Sequence, residues 1–264
     1  MKEKIAIIGC GNLGMSILNG LLEDDQFKSS TIYATKRNVK SIQDFNSPNV
    51  IVTNDNVLAI KESNIIVVAL KPFNILETLS TLKQHFDASK HTIVSLATGI
   101  SIKEISDVVG SDINIYRAMP NTAAGVSESM TCLCSNQNGS NNEDAVKAIF
   151  DAIGETIIID ESLMESATVL GACGIAYVLR FIRAMIQGGI QIGFDAKTAS
   201  AIVAQTVKGA SELLIQDKQH PEYEIDKVTT PKGCTIVGLN EMEHNGFSSS
   251  LIKGLVASFE KIEK

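Results

Sequence analysis

The hexapeptide "GCGNLG" at 9–14 sets three glycines at G-x-G-x-x-G spacing, behind an apolar run and ahead of a helical pattern. Each glycine has a separate use there. Gly9 permits a tight turn, Gly11 lets a pyrophosphate approach the backbone, and Gly14 lets helix and strand pack closely. The helix N-terminus then offers amide donors and the positive end of its dipole to phosphate groups. This spacing in a strand-turn-helix setting points to dinucleotide binding.

The next strand selects the dinucleotide. An NAD site places Asp or Glu there, about 20 residues on, to accept from the ribose 2′-hydroxyl. This chain reads "YATKR" at 33–37, with no carboxylate. Thr35 can hydrogen-bond a 2′-phosphate, and Lys36 and Arg37 can neutralise it, which favours NADPH with NADH as the second donor. Further on, "ALKP" (69–72), "ATG" (97–99) and "MPNT" (119–122) end apolar runs and supply carbonyls, a lysine, hydroxyls and an amide for a nicotinamide and its ribose. Asn56 either caps a helix or touches the adenosine side of the cofactor.

A second stretch, "VTTPKGCTIVGL" at 228–239, reads as a helix start, with Thr230 as N-cap and Pro231 at the first helical position. Amides near Gly233, Cys234 and Thr235 would receive a substrate carboxylate, and the Thr235 hydroxyl would orient the substrate or relay a proton. Strong acids and bases are scarce elsewhere. His85, His91, His220 and His244 are isolated without metal-ligand spacing, and no G-x-S-x-G elbow is present. Hydride transfer to an imine, whose nitrogen is already protonated near neutral pH, fits so sparse a set of groups.

These residues need a scaffold that brings strand ends together. The apolar runs "KIAIIG", "STIYAT", "NIIVVAL", "HTIVSLA" and "INIYRAM" read as parallel strands covered on both faces, and "ETIIID" as a last strand. Between them, 12–22, 73–86 and 102–109 carry helical patterns, and 135–146 reads as a polar loop entering another helix. The alternation predicts an α/β fold, a Rossmann-like doubly wound sheet over 1–160. Beyond 160 the pattern turns helical throughout, in four stretches, predicting an all-helical substrate-binding and dimerisation domain over 161–264. Residues 167–179 are apolar almost all round, so a second copy of the chain is expected to cover them.

The 264 residues carry a net charge of −7, against a nucleic-acid or anionic-membrane surface. Five scattered cysteines without C-x-x-C spacing suggest reduced thiols rather than disulfides or a metal site. The start "MKEKIAIIGCG" reads as a strand instead of a signal peptide, and 167–179 is shorter than the ~20 residues of a membrane span. A cytoplasmic enzyme acting on a small molecule is the expectation.

"IAIIGCGNLG", "ALKP", "RAMPNT" and the late "VTTPKGCTIVGL", in this order, resemble the landmarks of the pyrroline-5-carboxylate reductases, over nearly the whole chain. The resemblance implies reduction of a cyclic imino acid to proline with NADPH or NADH. It also implies a Rossmann-like domain, a helical domain that interlocks with a second subunit, and an active site completed by a helix N-terminus. By motif it implies cofactor contacts at Ile8, Gly9, Cys10, Gly11, Asn12, Leu13 and Gly14. Others follow at Thr35, Asn56, Ala69, Leu70, Lys71, Pro72, Ala97, Thr98 and Gly99. Substrate contacts are implied at Cys234 and Thr235; from the residues themselves, Thr230, Gly233 and Asn121 are expected to join them.

The chain departs from the family pattern in its substrate half. "GACGIAY" (171–177) stands where "SGSGPAY" is usual, and "TPKGCT" (230–235) where "SPGGTT" is usual. Ala123, Lys218 and Ser248 replace a proline, an acid and an arginine. A β-hydroxyacid dehydrogenase would share the architecture but carries a catalytic lysine on the first helix of its second domain, where "LGACGIAYVLRF" has none. Another imine reductase, or a non-catalytic NADP(H)-binding regulator, would keep the glycine loop and differ at the substrate end.

Overall fold

The computed structural model describes residues 3–42, 47–136 and 142–262. The chain forms two compact units, one running to Cys173 and including Ile262, the other Gly174–Lys261. In the first, strands Lys4–Ile8 (β1), Thr31–Thr35 (β2), Val50–Thr53 (β3), Ile65–Val68 (β4), Thr92–Ser95 (β5), Asn114–Met119 (β6), Ser129–Ser135 (β7) and Gly154–Ile158 (β8) share one sheet. Their order is β3-β2-β1-β4-β5-β6-β7-β8. The connecting helices are Asn12–Glu23 (α1), Asn56–Glu62 (α2), Pro72–Leu82 (α3), Ile102–Val109 (α4) and Glu143–Asp151 (α5).

Alternation along the strands explains why they are apolar throughout. Ile5 and Ile7 enter one core cluster with Ile17, Leu18 and Phe150, while Ala6 and Ile8 enter another with Ile75, Ile105 and Ile115. Successive side chains point to opposite faces, so a strand with helices on both sides has no face left for polar residues. This is the doubly wound architecture the sequence implies. Pairing levels the carboxyl ends: Ile8 lies beside Thr35 and Val68, and Val68 beside Ser95. From β3 to β6 every pairing is parallel, so the loops after these strands emerge along one edge.

Two strands go beyond the expectation. β3 is a short, half-buried edge strand, and β7 runs antiparallel to β6, with Arg117 opposite Cys134. The sequence of β7, "SMTCLCS", has no run of β-branched residues, so only its place beside β6 makes it a strand. The loop expected over 135–146 lies partly outside the described residues; its helix begins at Glu143.

Beyond β8 the described residues form helices, turns and loops, with no further strand among them. A continuous helix covers Glu161–Gln191, made of a 3-10 turn, Met164–Ala167 (α6) and a π-helical turn Thr168–Cys173 in the first unit, and Gly174–Gln191 (α7) in the second. Then follow Ala196–Asp217 (α8), Pro221–Lys227 (α9), Cys234–His244 (α10) and Phe247–Ile262 (α11). The helix Glu161–Gln191 is long and apolar enough to cross a membrane by length and composition, contrary to the shorter reach read from the sequence. In the unit Gly174–Lys261 only Ala199 and Val203 are fully buried hydrophobics among the described residues. Val178, Leu179, Ile190, Ile252 and Val256 stand exposed.

His91 gives the first unit a pH dependence. Its ring is buried edge-on to Phe86, and Nδ1 accepts the Asp87 amide at 2.8 Å. Burial, then the Lys90 charge, holds its pKa below the usual 6.5, against a smaller opposing pull from Asp87. Below that value the unfolded chain binds a proton that the folded chain does not, so stability is complete above about pH 6.5 and falls as pH drops. The slope this one group adds is at most ~1.4 kcal/mol per pH unit. His91→Asn, which keeps an acceptor for the Asp87 amide, is expected to flatten the decline in urea midpoint between pH 7 and 5.5; an unchanged slope would assign the decline to other groups.

Candidate active site

The glycine loop is fastened to the neighbouring strand. Gly9 takes φ +98°, a conformation that favours glycine, and its amide donates to both the carbonyl and the hydroxyl of Thr35 at 3.2 Å. The Cys10 amide donates to the same carbonyl at 2.8 Å, and the Gly11 amide to the Gly9 carbonyl at 2.8 Å. The first bond made from within α1 is Met15 N–H to Gly11 O, at 2.9 Å. The amides of Asn12, Leu13 and Gly14 therefore have no partner among the described residues. No side chain caps α1 and its first turn holds no acid, so these donors and the dipole are available to an anion.

The glycines behave as their spacing requires. A Cβ on Gly14 would lie 2.6 Å from the Gly9 carbonyl oxygen, while one on Gly11 would meet nothing within 4 Å. Open space beside Gly11 and three free amides suit a pyrophosphate. Cys10 is completely buried, and burial pushes its thiol up to about 11 despite the Lys36 charge nearby, so its thiol faces the interior as an inert packing group.

Thr35 is buried, and its hydroxyl oxygen accepts from Gly9, so it braces the loop from beneath. Lys36 is half-buried and Arg37 exposed, and neither side chain forms an ion pair with a described residue. Two cations, the Arg37 guanidinium with its bidentate fork and the Lys36 ammonium as a point charge, thus stand at the end of β2 where a phosphate would lie. Asn56 is not the helix cap: Asp55 accepts the Leu58 amide at 3.0 Å, and Asn56 follows as the first residue of α2 with its amide side chain uncommitted among the described residues.

The remaining predicted cofactor positions line the same edge. Ile8 closes β1; Ala69 and Leu70 follow β4, and Leu70 packs against Gly9. Lys71 and Pro72, both exposed, open α3 without a side-chain cap. After β5 come Ala97, Thr98 and Gly99, the last at φ +71° with open space where a side chain would be. Asn121, beyond β6, is buried and bonded at three atoms. Its backbone amide donates to Ser129 Oγ at 2.9 Å, its Oδ1 accepts from Ala123, and its Nδ2 donates to the Gly171 carbonyl at 3.4 Å. These bonds make it a support for the loop that follows β6.

In the second unit, residues 230–235 form a turn and then a helix start. The Gly233 amide donates to the Thr230 carbonyl at 2.9 Å, and Lys232 takes φ +62°. Proline second and a positive φ third is the pattern of a type II turn, for which Pro231 is preset as well as for a helix. The N-cap of α10 is accordingly Gly233, not Thr230. Gly233 is held to glycine because a Cβ would lie 2.6 Å from Thr230 Oγ1. Exposed Cys234 and half-buried Thr235 open a helix with neither a side-chain cap nor an acid in its first turn. By contrast, α4 is closed by a Ser101–Glu104 capping box and α8 by Asp195. The bare start of α10 resembles that of α1, and both are chemically suited to hold an anion.

Sequence reasoning missed Ser129 and Gly171, which hold Asn121, and the bracing role of Thr35. The one available signal was the buried arginine of "RAMPN", a charge inside an apolar strand.

A braced glycine loop along the carboxyl edge of a doubly wound sheet defines a dinucleotide-binding oxidoreductase. Residues 4–99 match the model of the NADP oxidoreductase coenzyme F420-dependent family, and residues 161–264 that of pyrroline-5-carboxylate reductase dimerisation. Pyrroline-5-carboxylate reductase 2 of Dictyostelium discoideum is 40% identical over 100% of this chain and 93% of its own length. The chain belongs to the pyrroline-5-carboxylate reductase family. Pyrroline-5-carboxylate reductase 1 of the same organism is 45% identical over 97% of this chain, which spans 49% of that relative's length. The crystal structure of Plasmodium falciparum pyrroline carboxylate reductase with NADP bound superposes with a TM-score of 0.85, at 28% identity, covering 98% of this chain and 97% of its own.

The turn before α10 carries a measurable strain. A left-handed backbone costs a residue with a Cβ about 1–2 kcal/mol, partly offset by the entropy glycine loses on folding. Lys232→Gly is therefore expected to stabilise the folded protein by up to ~1 kcal/mol in denaturant titration; a loss of stability would mean that the lysine side chain makes up for its backbone.

Proposed function

We propose that this protein reduces 1-pyrroline-5-carboxylate to L-proline, with NADPH as the preferred hydride donor and NADH as the weaker one. The observation that carries the reading is likeness across both halves of the chain: a relative named for this activity aligns with all of it, helical half included. The residues present fit the cofactor. Gly11 and Gly99 leave open space at the backbone, and the amides of Asn12, Leu13 and Gly14 suit its pyrophosphate. Lys36 and Arg37 suit a 2′-phosphate, and the segments 69–72 and 97–99 suit the ribose and ring.

When bound, NADPH supplies the hydride that converts the C=N carbon to CH. The chain's own residues hold and orient. The Gly9 and Cys10 bonds to Thr35 keep the loop shaped for the pyrophosphate. Amides of Cys234 and Thr235, with the dipole of α10, receive the carboxylate of the imino acid. The Thr235 hydroxyl orients the ring nitrogen, which carries a proton taken from water, so no strong general acid is required. Positioning and charge complementarity account for most of the rate.

We further propose a homodimer or higher homo-oligomer in the cytoplasm. The exposed apolar helices of the second unit and the dimerisation-domain match support assembly, and five unpaired cysteines suit a reducing compartment.

NADPH oxidation measured with and without the cyclic imine tests the activity itself; oxidation indifferent to the imine would overturn it. Replacing Lys36 and Arg37 by glutamate is expected to raise the KM for NADPH at least about tenfold while leaving NADH within about threefold. Equal losses for both would place the 2′-phosphate elsewhere. Thr235→Ala is expected to lower kcat/KM for the imino acid by roughly 10- to 100-fold, as for one charge-assisted hydrogen bond of ~1.5–3 kcal/mol, with NADPH affinity unchanged. Full activity in that variant would reduce the stretch to a helix start.

A further inference from the structure

Arg117 is a charge inside a sheet. It lies in β6 with its side chain 4% exposed, where a guanidinium is tolerated only if carboxylates meet it. Two do. Nη1 donates to Glu161 Oε1 at 3.2 Å and Nη2 to Glu165 Oε1 at 2.8 Å. Both glutamates stand in the first turns of the long helix, and Glu161 Oε1 also accepts the Ile102 amide at 2.6 Å, joining the start of α4 to the same cluster.

Four residues beyond Arg117, Asn121 reaches the same helix at Gly171. Glu165 stands just before the π-helical turn Thr168–Cys173, and Gly171 lies within it. A π turn fits one more residue per turn than an α-helix and is rare outside functional sites, so contacts must hold it against the commoner winding. Here Thr168 Oγ1 bonds back to Met164 O at 2.9 Å, Arg117 grips the helix just ahead of the turn at Glu165, and Asn121 grips the turn itself at Gly171. The turn lies against the candidate edge: Ala167 and Ala172 pack on the buried cluster that includes Met119 and Ala97.

We propose that Arg117 and Asn121 form a two-point clamp, through which β6 fixes the π-helical turn against the loop 119–122. On the reductase reading, which this rests on, both are positioning residues for hydride transfer and touch neither cofactor nor substrate. Their bonds within the protein fit that role: Arg117 gives Nη1 and Nη2 to carboxylates, and Asn121 bonds through its backbone amide, its Oδ1 and its Nδ2. The clamp also accounts for the spacing of "RAMPN". Along an extended strand, positions four apart share a face, so one face of β6 and its exit can meet one helix twice.

The test uses the full chain, comparing wild type with Asn121→Ser, Arg117→Lys and Glu165→Gln. Glu165→Gln keeps the acceptor shape and removes the charge, and it stands in for Arg117→Lys if the latter loses folding yield. Expected for each is a fall in kcat of about tenfold or more, with NADPH dissociation constant within about twofold. The primary isotope effect with 4-deuterated NADPH should rise as the chemical step becomes more limiting. Hydrogen exchange should quicken at the amides of 168–173 and stay slow in β1 and β4. Faster exchange with unchanged kcat would overturn the positioning role, and loss of NADPH binding in parallel with kcat would do the same. Exchange unchanged in all three variants would overturn the clamp itself. Wild type inactive on the cyclic imine would overturn the reductase reading alone, since the exchange arm judges the clamp without any substrate.

Discussion

Two hydrogen bonds to one carbonyl, from Gly9 at 3.2 Å and Cys10 at 2.8 Å to Thr35, govern the cofactor half of this protein. They continue the β1–β2 ladder beyond the end of the strand, so the loop inherits its geometry from the sheet. By satisfying the amides of Gly9 and Cys10, and with Gly11 turned to Gly9, they leave the next three amides as the first free donors. The near contact of Gly14 with the Gly9 carbonyl then sets where α1 begins. Leu70, packed against Gly9, ties the end of β4 to the same point.

The helical half reaches a similar result by different means. Pro231 and Lys232 turn the chain, Gly233 lies against Thr230, and α10 begins with neither a capping side chain nor an acid. Other helices spend side chains on their own starts, as at Asp55, Ser101 and Asp195, while α3 and α5 do not. A cap satisfies the same donors a ligand would use, so an uncapped start is the form a binding helix must take.

The sequence made the cofactor edge legible because its information is local. Apolar runs mark buried parallel strands, and the three glycine positions each answer to a steric demand within a few residues. It was poorer where partners are distant. Asn121 offers a side-chain amide to any ligand or carbonyl, and nothing nearby names Gly171, fifty positions on, as the one it finds. Thr35 sits where a phosphate contact is expected, and only the loop folded back over it shows that its hydroxyl oxygen also braces Gly9. Pro231 fits a helix start and a type II turn equally well, and the positive φ of Lys232 decides between them. β7 is a strand by virtue of its neighbours, and the π-helical turn has no local signature at all.

The second unit has a consequence for the life of the protein at low concentration. With two fully buried hydrophobic side chains between Gly174 and Lys261, these helices have almost no interior of their own among the described residues. Their apolar surface can leave water only by meeting another chain, so completing the fold is a second-order event. The thermal midpoint should then climb with the logarithm of protein concentration, and newly made chains would wait for one another before this half is secure. Abundance, for such a protein, is itself a stabilising condition.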